Sequence, residues 1–142
     1  MQIAIGADHR GFLYKKKLID FFSKIDWIDV GCDSEVRCDF PLYVKKVVAQ
    51  LYNETAEKGI LICGSGVGMS IAANRFQGVH AAVAWNPEVA KLSKQHNNSN
   101  ILVIPADFVS CDTAQEMIKA WLEAKFLGSR YQERITMLKS FG

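Results

Sequence analysis

Short β-branched apolar runs alternate with longer stretches in which apolar residues recur every three or four positions. Continuous apolar runs are typical of strands buried on both faces of a sheet, and the longer recurrence is typical of amphipathic helices. The pattern predicts five strands, at residues 2–6, 27–30, 60–63, 79–85 and 100–104. It also predicts six helices, at residues 11–23, 41–58, 69–75, 87–96, 112–126 and 130–140, the fifth capped by Asp112.

Regular alternation of strands and helices indicates a parallel sheet with helices on both faces. We therefore predict an α/β fold for residues 1–142: a single-domain, Rossmann-like three-layer α/β/α sandwich with a five-stranded parallel sheet. Right-handed crossovers place every strand-to-helix loop at the same edge of such a sheet, and ligands bind at that edge. Residues that carry chemistry are thus expected to follow strands.

The composition of the chain argues against a disordered protein and against a nucleic-acid-binding protein. Hydrophobic residues make up 49% and charged residues 23% of the chain, which is ordinary for a globular domain and unlike a disordered chain. The net charge of +2 is too balanced for a nucleic-acid binder, and we interpret Lys15, Lys16 and Lys17 as a solvated helix face.

Targeting and redox signals point to the cytoplasm. No apolar stretch approaches the roughly 18 residues that span a bilayer, and the N-terminus resembles a strand rather than a signal peptide. We expect no membrane partner. The four cysteines lack C-x-x-C spacing, which argues against a zinc site, and in a reducing compartment they are expected to be free thiols.

The loop after the first strand carries Asp8, His9 and Arg10 side by side. One interpretation is a plain helix start, in which Asp8 caps the helix and His9 is solvated. The other is a sugar or phosphate contact, which the position favours because helix N-termini attract anions.

The third strand ends in Cys63 and runs into a glycine-rich turn, residues 64–68. Its spacing matches neither a dinucleotide fingerprint nor a P-loop, because Met69 stands where a third glycine is needed and no Gly-Lys-Ser/Thr follows. The turn allows backbone amides to approach a ligand oxygen. A thiol at a helix N-terminus is expected to have a lowered pKa, although Cys63 also fits a small buried apolar residue.

Two further polar groups lie late in the chain. His96 and Asn97 end the fourth helix, where a histidine is often structural. Arg130 and Arg134 are one helical turn apart and form either a phosphate clamp or, with Glu133 beside them, a salt-bridged surface. His80, in an apolar strand, is interpreted as structural.

Together these segments resemble the ribose-5-phosphate isomerase B family, which includes the paired subunits of galactose-6-phosphate isomerase. The resemblance covers nearly the whole chain, in family order. The segments that carry it are residues 5–11, 39–43, 60–68, 71–75, 95–97 and 130–134.

The resemblance implies an aldose–ketose isomerase that interconverts ribose 5-phosphate and ribulose 5-phosphate through an enediolate, in the pentose phosphate pathway, without metal or cofactor. It makes Cys63 the base that moves a proton between C1 and C2, and His96, helped by Asp8, the acid that opens the sugar ring. The loop amides and the Ser65 hydroxyl would stabilise the developing oxyanion. The resemblance also implies that His9, Arg130 and Arg134 contact the phosphate and that Asn97 and Tyr43 contact the sugar. The loop that binds the substrate beside them consists of Gly64, Ser65, Gly66, Val67 and Gly68.

The resemblance also implies a homodimer, or a dimer of dimers, in which each site is built from both subunits. One branch of the family uses a glutamate after the glycine loop, but Met69 at that position cannot take a proton. The galactose-6-phosphate enzyme divides its motifs between two different subunits. This chain carries Cys63, His96 and both arginines, so a self-sufficient homo-oligomer is expected.

One position departs from the family. Members carry an arginine that reaches the phosphate across the dimer, where this chain has Asp107. A carboxylate some 6 Å from a phosphate would cost on the order of 3 kcal/mol per pair of unit charges at an effective dielectric of about 20. We therefore predict that Asp107 turns aside or pairs with Arg130 or Arg10.

Other functions remain as alternatives. A six-carbon substrate, such as allose or galactose 6-phosphate, would need only a deeper pocket. A non-catalytic sugar-phosphate binding module is disfavoured because Cys63 and His96 are both present. A flavodoxin-like signalling receiver is excluded, because Cys63 and Pro105-Ala106 occupy the places of its phospho-acceptor aspartate and lysine.

Overall fold

The computed structural model of the chain describes residues 2–141, and Met1 and Gly142, the ends of the expected domain, lie outside the described residues. The strands are β1 (Gln2–Ala7), β2 (Asp26–Asp29), β3 (Lys58–Cys63), β4 (Ala81–Val83) and β5 (Ile101–Pro105). The helices are α1 (Phe12–Phe21), α2 (Phe40–Tyr52), α3 (Val67–Ala73), α4 (Pro87–Asn97), α5 (Cys111–Glu123) and α6 (Arg130–Leu138).

All five strands are parallel and lie in the order β2-β1-β3-β5-β4, so the predicted α/β fold is confirmed. One apolar core lies between the sheet and helices α1, α4 and α5, and a second lies between the opposite face and helices α2 and α3. Successive residues of β1 alternate between the two cores, as the period of a strand requires. Helix α6 belongs to neither core and has no buried residue.

The central strands bring three loops together at one edge of the sheet. The carboxyl ends of β1, β3 and β5 lie side by side, because Ala7 pairs with Ile62 and Cys63 pairs with Pro105. The loops that carry residues 8–11, 64–66 and 106–110 therefore meet at one edge of the sheet. We call it the carboxyl edge.

Several predicted helix and strand boundaries were wrong, because pairing between strands outweighs the local pattern of apolar residues. Helix α2 ends at Tyr52 rather than near Lys58, since Lys58 and Gly59 are drawn into the sheet against β1 and β5. Strand β4 has three residues rather than seven, because it pairs with β5 alone. Its outer side is covered by Asn74, whose amide binds both backbone groups of Ala81.

Ser110, not Asp112, caps helix α5: its hydroxyl accepts a hydrogen bond from the Thr113 amide at 3.1 Å. The last helix was also expected to run two residues further than Leu138.

Lys15 does not lie on a solvated face as predicted. Its side chain is 1% exposed, and its ammonium donates to the Asp29 carboxylate at 2.6 Å and to the Cys32 carbonyl at 2.7 Å. A buried ammonium is expected to have such an ionic partner and hydrogen bond. Lys16 and Lys17 are exposed as expected.

Within residues 2–141, every helix is too short or too polar to cross a lipid bilayer.

Candidate active site

Cys63 ends β3 at the carboxyl edge, and the glycine turn wraps around its sulfur. The Gly66 amide donates to Sγ at 3.1 Å. Gly66 adopts a left-handed backbone conformation, with φ of +76°, which is why a glycine is needed there. The turn leads directly into α3, so the thiol lies beside the first turn of that helix.

Burial, rather than the helix, dominates the acidity of this thiol. Cys63 is 5% exposed, and burial raises its pKa, with a smaller contribution from the nearby Asp8 carboxylate. Backbone N–H groups of Met69, Gly66 and Ser65 lower the pKa but do not compensate. The expectation of a lowered pKa was therefore wrong, because the sequence shows the helix start but not the depth at which the sulfur lies.

Asp8 is held in place by its own loop, and His9 by the segment between β2 and α2. The buried Asp8 carboxylate accepts from the amides of Arg10 at 2.9 Å and Gly11 at 3.2 Å, so it does cap this turn. His9 is not merely solvated, since its Nδ1 accepts from the Cys38 amide at 3.2 Å. A backbone amide can only donate, so the proton of the neutral ring lies on Nε2. His9 is thus a donor toward a ligand at this edge.

Asp107 pairs with Arg10, one of the two cations expected for it. The Asp107 amide donates a hydrogen bond to the Gly64 carbonyl at 3.0 Å, which joins the loop after β5 to the glycine turn. The prediction that Asp107 does not stand unpaired is confirmed.

Ser65 and Tyr43 border the same edge. The Ser65 hydroxyl accepts from the Val67 amide at 3.2 Å, and the residue is exposed. Tyr43 lies on α2, and its ring packs against Gly31, whose carbonyl accepts a hydrogen bond from the Ala7 amide at 2.8 Å. Both residues therefore border the carboxyl edge, where β1 and β3 end.

A second cluster, which we call the α4–α6 cluster, consists of His96, Asn97, Arg130, Tyr131 and Arg134. The His96 ring stacks on Tyr131 with centroids 4.3 Å apart and planes 6° from parallel. The Arg130 guanidinium donates to the Tyr131 hydroxyl at 3.1 Å, and Arg134 lies 5.9 Å from the same ring. A cavity of about 320 Å³ opens here, lined by His96, Asn97, Tyr131, Arg134, Ile135 and Leu138.

The arginines belong to an aromatic cluster rather than a salt-bridged surface. Within residues 2–141, neither Arg130 nor Arg134 forms an ion pair with Glu133. Both are exposed, and their guanidinium groups surround Tyr131 instead. This leaves both cations available to an anion. His80 has the structural contact expected of it, between Nδ1 and the Asn97 carbonyl at 3.1 Å.

Within one chain, the two groups of residues lie at opposite edges of the sheet. Cys63 pairs with Pro105 at the end of β5, whereas the α4–α6 cluster lies where the chain is about to enter β5 at Ile101. The five residues of β5 span roughly 13 Å. The carboxyl edge thus brings together Asp8, His9, Tyr43, residues 63–68 and Asp107, but not His96, Asn97, Arg130 or Arg134.

Sequence reasoning missed one residue, Tyr131, that organises the α4–α6 cluster. Tyr131 lies between the two arginines, and its aromatic type in a polar helix was the available signal. Arg10 was one of the two cations expected to pair with Asp107, which lies 97 positions away, but the sequence alone did not choose between Arg10 and Arg130.

Comparison with known proteins decides the family. The model of the family described as Ribose/Galactose Isomerase matches residues 3–138. The chain belongs to this family. Among curated members of the ribose/galactose isomerase family, ribose-5-phosphate isomerase B of Escherichia coli is 40% identical over 136 residues, which cover 94% of this chain and 91% of that protein.

Solved structures of ribose/galactose isomerases match over almost the full length. A ribose 5-phosphate isomerase from Thermotoga maritima superposes with a TM-score of 0.95 at 40% identity, covering 97% of both chains. The Mycoplasma genitalium ribose-5-phosphate isomerase B, solved with bound ribulose-5-phosphate, has a TM-score of 0.92 at 32% identity and covers 99% of this chain and 95% of its own. The resemblance and the predicted fold are thereby confirmed.

Proposed function

We propose that this protein is a ribose-5-phosphate isomerase that interconverts D-ribose 5-phosphate and D-ribulose 5-phosphate in the pentose phosphate pathway. The observation that carries the proposal is the buried Cys63 thiol inside a glycine turn, in a chain that belongs to the ribose/galactose isomerase family. The bound ribulose-5-phosphate of the Mycoplasma relative supports the five-carbon substrate.

The reaction moves one hydrogen from C2 to C1 and one from O2 to O1, and it needs no net oxidant. His96 donates a proton to the ring oxygen, and Asp8 assists by accepting the proton that the C1 hydroxyl loses as the sugar opens to the aldehyde. The Cys63 thiolate then removes the proton from C2, which gives an enediolate, and returns a proton to C1. The proton of the C2 hydroxyl passes to O1, so that C2 becomes the ketone and C1 carries a hydroxyl. The Ser65 hydroxyl and the amides of residues 64–68 are suited to stabilise the oxyanion, because such donors act where charge develops.

The direct test is conversion of ribose 5-phosphate to ribulose 5-phosphate by purified protein in excess chelator, followed by ketose formation. We expect turnover with ribose 5-phosphate and at least tenfold lower kcat/KM with allose 6-phosphate or galactose 6-phosphate. A preference for a six-carbon phosphate would overturn the substrate assignment, and absence of turnover with all three sugars would overturn the isomerase.

We further propose that the protein acts as a homodimer in which each site combines the carboxyl edge of one subunit with the α4–α6 cluster of the other. A base and a ring-opening acid must both reach one sugar, and within a chain Cys63 and His96 lie at opposite ends of β5. A second copy removes that separation.

The exposed apolar side chains support this arrangement. Val67 and Ile71 lie one turn apart on α3 and are 55% and 59% exposed, while Trp85, just beyond β4, is 59% exposed. Helix α6 buries no residue against its own chain. Large exposed apolar side chains are typical of association sites, and a second copy of the chain would cover them.

Mixed dimers give a sharp prediction. When Cys63→Ala and His96→Asn chains are co-expressed in equal amounts, we expect about a quarter of the wild-type activity, although each variant alone is nearly inactive. Random pairing makes half of the dimers mixed, and each mixed dimer has one site with both residues intact. The measurement is kcat of the mixture, with differently tagged chains to isolate the mixed dimer at half of the wild-type value.

Activity of the mixture no higher than the mean of the two variants would contradict shared sites. A double variant carrying both changes on one chain, paired with wild type, is the control. That dimer has one changed residue in each of its sites, so it should be nearly inactive.

The phosphate clamp gives a further prediction. We expect Arg134→Ala to raise KM for ribose 5-phosphate at least tenfold, because a hydrogen bond to a charged group contributes roughly 1.5–3 kcal/mol. Lys125→Ala, which removes an exposed cation from the segment before α6, is the matched control and should leave KM unchanged. A normal KM for Arg134→Ala would remove Arg134 from the phosphate site.

The cysteines support a cytoplasmic location. Cys32, Cys38, Cys63 and Cys111 are all free thiols, and a base at Cys63 must stay reduced. A reducing compartment keeps it so.

A further inference from the structure

The Arg10–Asp107 ion pair lies directly over the glycine turn. If Gly64 carried a Cβ atom, that atom would be 2.8 Å from the Arg10 Cζ and 2.8 Å from an Asp107 carboxylate oxygen. The guanidinium therefore packs against the backbone next to Cys63, and only a residue without a side chain permits this approach. The pair is part of the wall of the site, not a remote surface contact.

Both partners are anchored through their backbones to the residues that form the site. The Arg10 amide donates to the Asp8 carboxylate at 2.9 Å, directly after His9. On the other side, the Ala106 amide donates to the Cys63 carbonyl at 2.9 Å and the Asp107 amide to the Gly64 carbonyl at 3.0 Å. The ion pair thus joins the loops after β1 and β5 across the end of β3.

The pair leaves donors free for a ligand. A guanidinium has five N–H donors in a fixed plane, and in this contact one terminal nitrogen of Arg10 binds an oxygen of Asp107. The Arg10 side chain is 57% exposed, against 37% for Asp107, so the guanidinium is the more accessible member. Its neighbour His9, at the same edge, carries its proton on Nε2, because its Nδ1 accepts from the Cys38 amide. A forked cation beside a second donor suits the oxygens of a phosphate.

We propose that Arg10 binds the phosphate of the substrate and that Asp107 is a positioning residue that holds the Arg10 guanidinium over Gly64; this inference rests on the proposed function. The phosphate then lies between His9 and Arg10 of one subunit and Arg130 and Arg134 of the other. Asp107 does not repel it, because the guanidinium stands between them and offsets the carboxylate charge.

The first experiment measures KM for ribose 5-phosphate and the inhibition constant of inorganic phosphate in Arg10→Gln. We expect both to rise at least tenfold, with a smaller effect on kcat. Arg10→Lys keeps the charge but loses the planar pair of N–H donors, so both constants should lie between those of Arg10→Gln and the wild type. Lys24→Gln, an exposed cation just before β2, is the control for net charge and should change neither constant.

A KM for Arg10→Gln within twofold of wild type would overturn the proposal. So would a raised KM with an unchanged phosphate inhibition constant, because Arg10 would then contact another part of the sugar.

The role of Asp107 is tested by the double variant. If Asp107 acts only through Arg10, Asp107→Asn raises KM severalfold in the wild type but changes it less than twofold in the Arg10→Gln background. A role in stability alone would lower the melting temperature without this dependence. If Asp107→Asn lowers KM in both backgrounds, the carboxylate faces the phosphate directly and the positioning role is wrong.

Calorimetric titration of the full-length protein with inorganic phosphate separates this inference from the proposed function. Phosphate binding that weakens at least tenfold in Arg10→Gln supports the Arg10 site even if ribose 5-phosphate is not converted. Isomerase activity with phosphate binding unaffected by Arg10→Gln supports the function and overturns the site.

Discussion

Cys63→Ala is expected to lower kcat for ribose 5-phosphate by between about a hundredfold and ten-thousandfold, the range usually lost with a general acid or base. Cys63 is the group in the glycine turn that can accept a proton, and Met69 beside it cannot. Circular dichroism and KM should stay near their wild-type values, because alanine fits where the small thiol lies.

Two variants make this measurement specific. Cys63→Ser keeps the size of the side chain but should also be poor, since a hydroxyl is far less acidic than a thiol. Cys111→Ala removes another partly buried cysteine, at the start of α5, and should retain full activity. Activity of Cys63→Ala within tenfold of wild type would show that another group is the base.

The pH profile follows from the same thiol. Because burial raises the pKa of Cys63, the thiolate forms only above the ordinary thiol pKa of about 8.5. We therefore expect kcat/KM to rise with pH through the neutral range and to level off above that value, since kcat/KM reports groups of the free enzyme. A plateau already reached at pH 6 would contradict a buried thiol as the base.

His96→Asn is expected to slow conversion of cyclic ribose 5-phosphate by between about a hundredfold and ten-thousandfold, because ring opening needs an acid. Its effect on proton transfer should be far smaller. Ribulose 5-phosphate isolates that step, since its phosphorylated O5 cannot close a ring. The measurement is exchange of a C1 proton of ribulose 5-phosphate with deuterated water, followed by NMR.

Equal loss of ring opening and of C1 exchange would show that His96 is not the ring-opening acid. Asparagine retains a hydrogen-bonding side chain that can pack on Tyr131, so loss of the stack alone is limited. Tyr131→Phe is the companion variant: it keeps the stacked ring and removes the hydroxyl that binds Arg130. We expect it to raise KM with little effect on ring opening.

The pattern of apolar and polar residues along the chain determined the fold class and the part of the site at the carboxyl edge. The alternation of buried runs and amphipathic stretches is enough to predict a parallel sheet, because strands covered on both faces must be apolar throughout. The same topology places the loop of Asp8 and His9 beside Cys63, since strands that run in one direction bring their ends to one edge. These inferences need only residue types and their order along the chain.

Contacts between distant residues were decided by tertiary structure. Burial raises the pKa of Cys63 where the helix start alone predicted a lowered one, because desolvation depends on everything packed around the sulfur. The sequence predicts that Lys15 is a surface lysine, but in the structure its ammonium is buried against the Asp29 carboxylate and the Cys32 carbonyl. Arg10 and Asp107 meet across 97 positions, and the placement of His96 at the far end of β5 separates it from Cys63. Spacing along a chain carries no information about such distances, which are set by how the strands pair and how the helices pack between them.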